Sequence, residues 1–178
     1  MNATRFLLAA MVLGTAMGVE ANAQCSGNAG SCNTTNTASV SVNALVKLGM
    51  SGTATSLTSP TADQIEAGAV IADAGPTFTV KANRSWTLNI KTTNPTIWTY
   101  AGAFAGTKPI SDLTWSNAAA GTFNNMGTSD AVFLSGASAT NGFAAQAFFR
   151  TVWAAGFVQP SNVPGTYSLP VVFTLSAP

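Results

Sequence analysis

Two neighbouring segments alternate apolar and polar residues with a period of two, and that period decides most of what this chain can become. In Thr77 to Ala82, Phe78 and Val80 alternate with Thr77, Thr79 and Lys81. In Ser85 to Thr92, Trp86, Leu88 and Ile90 alternate with Thr87, Asn89 and Lys91. Successive side chains of a strand point to opposite faces, so the pattern describes half-buried strands. Trp86, Leu88 and Ile90 are expected to face a core. Asn83-Arg84 between the segments predicts a tight hairpin, with Asn tolerating positive φ.

The same signal recurs along the chain. Val40 and Val42 alternate with Ser39, Ser41 and Asn43, which predicts a strand; Leu45, Val46 and Leu48 extend it with a change of phase that suggests a bulge. Gly49 to Pro60 is small and polar and admits a short strand near Thr53 to Leu57. Asp63 to Glu66 fits one helical turn ended by Gly68, and Val70-Ile71 starts another strand. Further strands are expected at Ile97 to Tyr100, Leu113 to Ser116, Ala131 to Leu134, Ala147 to Trp153 and Tyr167 to Leu175. The Gly-, Ala-, Ser- and Asn-rich stretch from Ala101 to Gly142 reads as weak strands joined by long surface loops. No window of about eleven residues carries a clean helical period. About eight to ten short strands separated by turn residues predict an all-β fold, an Ig-like antiparallel β-sandwich.

The amino terminus has a different character. Arg5, the apolar run Phe6 to Met17 and the Ala21-Asn22-Ala23 site read as a secretory signal peptide over residues 1–23. The run is shorter than the roughly 20 residues a spanning helix needs, and no later segment is apolar enough to span a membrane. Residues 24–37 are Ser-, Thr-, Asn- and Gly-rich and form a flexible lead-in; residues 38–178 form the domain. Cys25 and Cys32 lie in the lead-in with six residues between them. In an oxidising compartment they are expected to form a disulfide, because the spacing is not the C-x-x-C of redox or zinc sites.

Composition limits the chemistry. Seven Lys+Arg stand against six Asp+Glu, charged residues make up 7% of the chain, and there is no His. A balance so close to neutral argues against nucleic acid as a partner. Without His there is no Ser-His-Asp or Cys-His dyad and no imidazole metal ligand. Asp63 and Glu66 share a turn, but two carboxyls on a surface turn are solvated more often than catalytic. Asp63, Glu66 and Asp73 lack calcium-loop spacing. The reading is a non-enzymatic protein with no cofactor and no metal site. Trp98 and Tyr100 share a strand face by parity, which makes them the candidate pair for stacking on a glycan ring.

Two segments carry a family resemblance. One is Ser85-Trp86-Thr87-Leu88; the other is the C-terminal run Gly165-Thr166-Tyr167-Ser168-Leu169-Pro170-Val171-Val172-Phe173-Thr174-Leu175-Ser176-Ala177-Pro178. Together they resemble the WxL domain of bacterial surface proteins, with Tyr167, Val171, Leu175 and Pro178 on the terminal pattern. Phe173 stands where that pattern has its second Trp, and Val172 where it has Thr. The resemblance implies a cell-surface protein held non-covalently to the envelope, with Trp86, Leu88, Tyr167, Phe173 and Leu175 as binding residues. Its partners would be envelope polymer or other surface proteins. The ending is also similar to secreted pilin-like subunits of the spore coat U class. That similarity implies self-association by strand donation, for which the Ala38 to Asn43 segment is suited. Both imply a secreted protein, at the cell surface or, in a host with two membranes, in the periplasm or on the outer surface.

Overall fold

The computed structural model describes residues 34–178; the leader, its cleavage site and the Cys25–Cys32 pair lie outside the described residues. The chain divides into two units at Ser41 and Val42. The described part of the first, residues 34–41, is exposed and carries no regular element.

The second unit is an all-β sandwich. Its strands are β1 (Val46–Met50), β2 (Ala69–Ala82), β3 (Trp86–Thr92), β4 (Thr99–Ala101), β5 (Leu113–Ser116), β6 (Asn124–Asn125), β7 (Ala131–Gly136), β8 (Thr140–Trp153), β9 (Thr166–Ser168) and β10 (Val171–Ser176), with one short helix, α1 (Ala62–Ala67). One sheet has the order β1-β2-β8-β5-β6, the other β10-β3-β7, and β4 and β9 form a separate ribbon. Every pairing is antiparallel.

The core fills the space between the two sheets. Phe78 and Val80 enter it from β2, Trp115 from β5, Phe149 from β8, and Trp86, Leu88, Ile90 and Phe133 from the smaller sheet. Aromatic rings interlock across the gap: Phe78 meets Phe133 at 5.6 Å between centroids and Trp115 meets Phe133 at 5.7 Å. Burial along β3 falls at Trp86, Leu88, Ile90 and Thr92, every second residue, as the period-two pattern requires.

Several local expectations are corrected. Asn83-Arg84 does not close a hairpin, since β2 lies in the larger sheet and β3 in the smaller. Both strands carry a strong apolar face, and facing each other across the core buries both faces at once, which pairing side by side in one sheet does not. No non-glycine residue among those described has a positive φ, so the primed turn that a two-residue hairpin favours is absent. The segments at Val70 and Thr77 are one long strand, β2, whose ladder shifts register between Ala74 and Thr77 around Gly75-Pro76. Proline has no N–H for the ladder, so a bulge accommodates it. Val40 and Val42 form no strand; β1 begins only at Val46, where Ala82 supplies a partner. The Thr53 to Leu57 stretch is irregular. Tyr167 to Leu175 divides at Leu169-Pro170 into β9 and β10, which belong to different sheets. The Ala101 to Gly142 stretch holds β5, β6 and β7, as weak strands joined by loops.

The helical turn forms as read. Thr61 caps α1: its side chain accepts from the Gln64 N–H and its own N–H donates to Gln64 Oε1 at 2.9 Å. Gly68 ends α1 at φ 76°, a value costly for any residue with a Cβ.

Candidate functional site

The residues of the two family-like segments meet on adjacent strands. In the β3–β10 ladder, Leu88 pairs with Leu175, Ile90 with Phe173 and Thr92 with Val171. Trp86 and Leu88 are buried, with the Trp86 ring 5.4 Å from that of Phe143. The Trp86 indole is 3% exposed and packs the sandwich.

Tyr167 sits apart from them, on the β4–β9 ribbon, opposite Tyr100. Its hydroxyl lies 3.0 Å from the Val163 carbonyl, to which it donates. That is the corner-bracing geometry in which a Tyr ties a strand to backbone a few residues upstream. Burial and the neighbouring Tyr100 push its phenol pKa up.

Trp98 and Tyr100 line one open surface cleft of about 490 Å³, beside Asn94, Pro95, Ile97 and Thr99. Trp98 is buried and its Nε1–H donates to the Pro109 carbonyl at 2.9 Å. Tyr100 is half-buried and its hydroxyl donates to the Pro164 carbonyl at 2.7 Å. Both polar tips are therefore committed to backbone, and the rings pack the loop base.

The acidic residues serve turns and loops. Asp63 and Glu66 are exposed on α1. Asp73 accepts from the Thr58 hydroxyl at 2.6 Å and from the Thr58 N–H at 3.1 Å, which fixes the loop after β1 to β2. Among the described residues no three metal-ligating side chains come together.

Sequence reasoning missed Lys108. Its ammonium is wholly buried, 3.1 Å from Asp112 Oδ2, 4.0 Å from the centre of the Trp153 ring, and bonded to the Val152 carbonyl. Burial lowers its pKa, and Asp112 partly restores it. Two hydrogen bonds, to Asp112 and the Val152 carbonyl, and the Trp153 ring face hold the ammonium, so the group anchors the Thr107 to Asp112 segment to β8. The only sequence signal was a Lys and an Asp four apart outside any helical pattern.

What distinguishes the surface is the edge at β10. It has one hydrogen-bonded neighbour among the described residues, β3, and ends its sheet. Strand β1 ends the other sheet and lies within 8 Å of β10 without forming a ladder to it. Val171, Phe173 and Leu175 pack against the core yet stay half-buried, whereas their partners Thr92, Ile90 and Leu88 are buried. An edge of this kind offers unpaired backbone groups and apolar side chains together. Two residues of the chain match it in kind: Val40 is 89% exposed and Val42 74% exposed, in a segment of period two.

No family model matches the chain, and no curated protein matches its sequence.

Proposed function

We propose that this chain is an exported, non-enzymatic structural subunit of the cell surface that assembles by strand donation. Its β10 edge accepts an extended apolar segment, and the Ala38 to Asn43 stretch supplies one. The observation that carries the reading is the half-buried row Val171, Phe173 and Leu175 on a strand with one ladder partner. A donated strand would complete the backbone ladder of β10 and cover that row with Val40 and Val42, in the manner of β-strand addition. Few charges oppose such pairing, because charged residues make up 7% of the chain. Export rests on the leader-like residues 1–23. Envelope binding through the Trp86-Thr87-Leu88 segment finds less support, since Trp86 and Leu88 are committed to the core.

The test is light-scattering size exclusion on the secreted chain, residues 24–178, followed by sedimentation with isolated envelope polymer. Concentration-dependent oligomers that disappear when residues 37–43 are deleted are expected. A monomer that sediments with envelope polymer would replace strand donation with envelope binding. A monomer that does neither would contradict both.

A further inference from the structure

The sequence holds two tyrosines, Tyr100 and Tyr167, and the fold makes them direct partners in the β4–β9 ladder. Their ring centroids lie 4.9 Å apart, with the planes inclined by 50°. Both hydroxyls turn the same way: Tyr100 donates to the Pro164 carbonyl at 2.7 Å, and Tyr167 to the neighbouring Val163 carbonyl at 3.0 Å. A Cβ on Gly106 would stand 2.6 Å from the Tyr167 hydroxyl oxygen and 2.7 Å from Tyr100 Cε2. The phenol end of one ring therefore lies beside the ortho carbon of the other.

Aromatic packing across strands stabilises a ribbon of any origin. Two further features give this pair a chemical direction. The Tyr100 ring is closed in by Gly102, Gly106 and Gly165, none of which leaves room for a side chain, so it is held against its partner. Trp153 stands edge-on at 6.2 Å from Tyr167 and carries the Lys108 ammonium 4.0 Å over its own ring. A cation on a ring face is held by the π electrons. The same charge opposes removal of an electron from that indole. An electron taken from this group of rings thus comes from tyrosine.

We propose that Tyr100 and Tyr167 form an oxidative cross-linking site, at which a one-electron oxidant of the peroxidase class, consuming hydrogen peroxide, joins them into dityrosine within one chain. Each phenol gives up one electron and one proton, and the two tyrosyl radicals couple through their ortho carbons. The hydrogen on each coupled carbon then moves to the phenol oxygen and restores the ring. In total one C–C bond forms, two ring C–H bonds break, and one hydrogen peroxide becomes two waters. Electrons leave a half-buried ring without the oxidant entering the ribbon. The link closes residues 101–166 into a covalent loop and constrains the unfolded chain as a disulfide does. It fastens a ribbon that has three residue pairs and belongs to neither main sheet.

The experiment treats the secreted chain, residues 24–178, with peroxidase and hydrogen peroxide, once folded and once in urea. Free tyrosine, oxidised at matched rates in the two solutions, calibrates the oxidant. Denaturing electrophoresis and mass spectrometry of the digested protein read the product. A chain that still runs as a monomer, has lost two hydrogens and yields one linked peptide pair containing Tyr100 and Tyr167 is expected. Its yield should be about tenfold higher folded than unfolded, because the fold supplies the proximity. Tyr100→Phe and Tyr167→Phe should each abolish the internal link. Dityrosine found only between chains, equal yields from folded and unfolded protein, or tyrosines left unlinked while the calibrant couples would each overturn the proposal.

Discussion

Phe173 and Phe78 pack ring to ring at 4.5 Å between centroids, yet Phe78 is 2% exposed and Phe173 remains half-buried. One partner is enclosed by both sheets, while the other closes the core from an edge strand with one ladder partner among the described residues. Truncation should register the difference. Phe78→Ala is expected to cost about 3–5 kcal/mol, and Phe173→Ala nearer about 2 kcal/mol in the monomer, because less of its surface leaves water on folding. Denaturant melts of the two variants check this. Equal losses would mean that β10 is already fully covered.

Trp86 stands opposite Gly136 in the β3–β7 ladder, and a Cβ on Gly136 would run into the indole. The Trp needs a neighbour with no side chain in order to lie flat in the core. Gly136→Ala is therefore expected to destabilise by about 1–3 kcal/mol through overpacking. Trp86→Ala should cost about 3–5 kcal/mol. A Trp86→Ala protein with unchanged melting temperature would show that the indole does not pack the sandwich.

Much of this was legible in the residues themselves. The alternation of Phe78, Val80, Trp86, Leu88 and Ile90 was enough to place all five in one core, because burial of a strand follows a period of two whatever sheet it joins. Which sheet each strand joins was not legible. Asn83-Arg84 reads as a hairpin from turn chemistry, yet the arch between sheets forms because two strongly apolar faces bury each other across the core. Val40 and Val42 carry the same period as a true strand and have no partner within the described residues, since pattern specifies a face and not a neighbour. Lys108 was invisible for a related reason. Its burial depends on Trp153 and the Val152 carbonyl, more than forty residues away.

Lys108 and Asp112 should respond unequally to removal. Asp112→Ala leaves a buried ammonium without its carboxylate and is expected to cost about 3 kcal/mol, the low end for a broken buried pair because Asp112 itself reaches solvent. Lys108→Met keeps an apolar stem against Trp153 and should cost less. The pH dependence follows from the lowered pKa: the folded state holds this proton less tightly than the unfolded chain, whose Lys titrates near 10.5. Stability from this group should thus rise as pH climbs through the folded pKa toward 10.5, and rise more in Asp112→Asn. Chemical denaturation between pH 7 and 10 measures it; a slope unchanged by Asp112→Asn would contradict the pairing.

Tyr167 has the opposite sign. Its folded pKa is raised above 10.0, so the folded state holds the phenol proton more tightly than the unfolded chain does. Its contribution is fully present below pH 10.0 and is lost as pH rises through the folded value. Tyr167→Phe should cost about 1 kcal/mol at neutral pH, for the bond to the Val163 carbonyl, and should remove that part of the alkaline loss. Melts of both proteins at pH 8 and pH 11 compare the two effects. Parallel losses in wild type and variant would contradict the corner-bracing role.

The strand-donation proposal is tested most directly at the donor. Val40 and Val42 are 89% and 74% exposed, and Val158, on the loop after β8, is 93% exposed. A Val40→Asp, Val42→Asp double variant is set beside Val158→Asp, and each is run against wild type by light-scattering size exclusion over a range of concentrations. The double variant should remain unable to form oligomers at every concentration, while Val158→Asp assembles like wild type. Oligomers of unchanged size and concentration dependence in the double variant would contradict donation of this segment to β10.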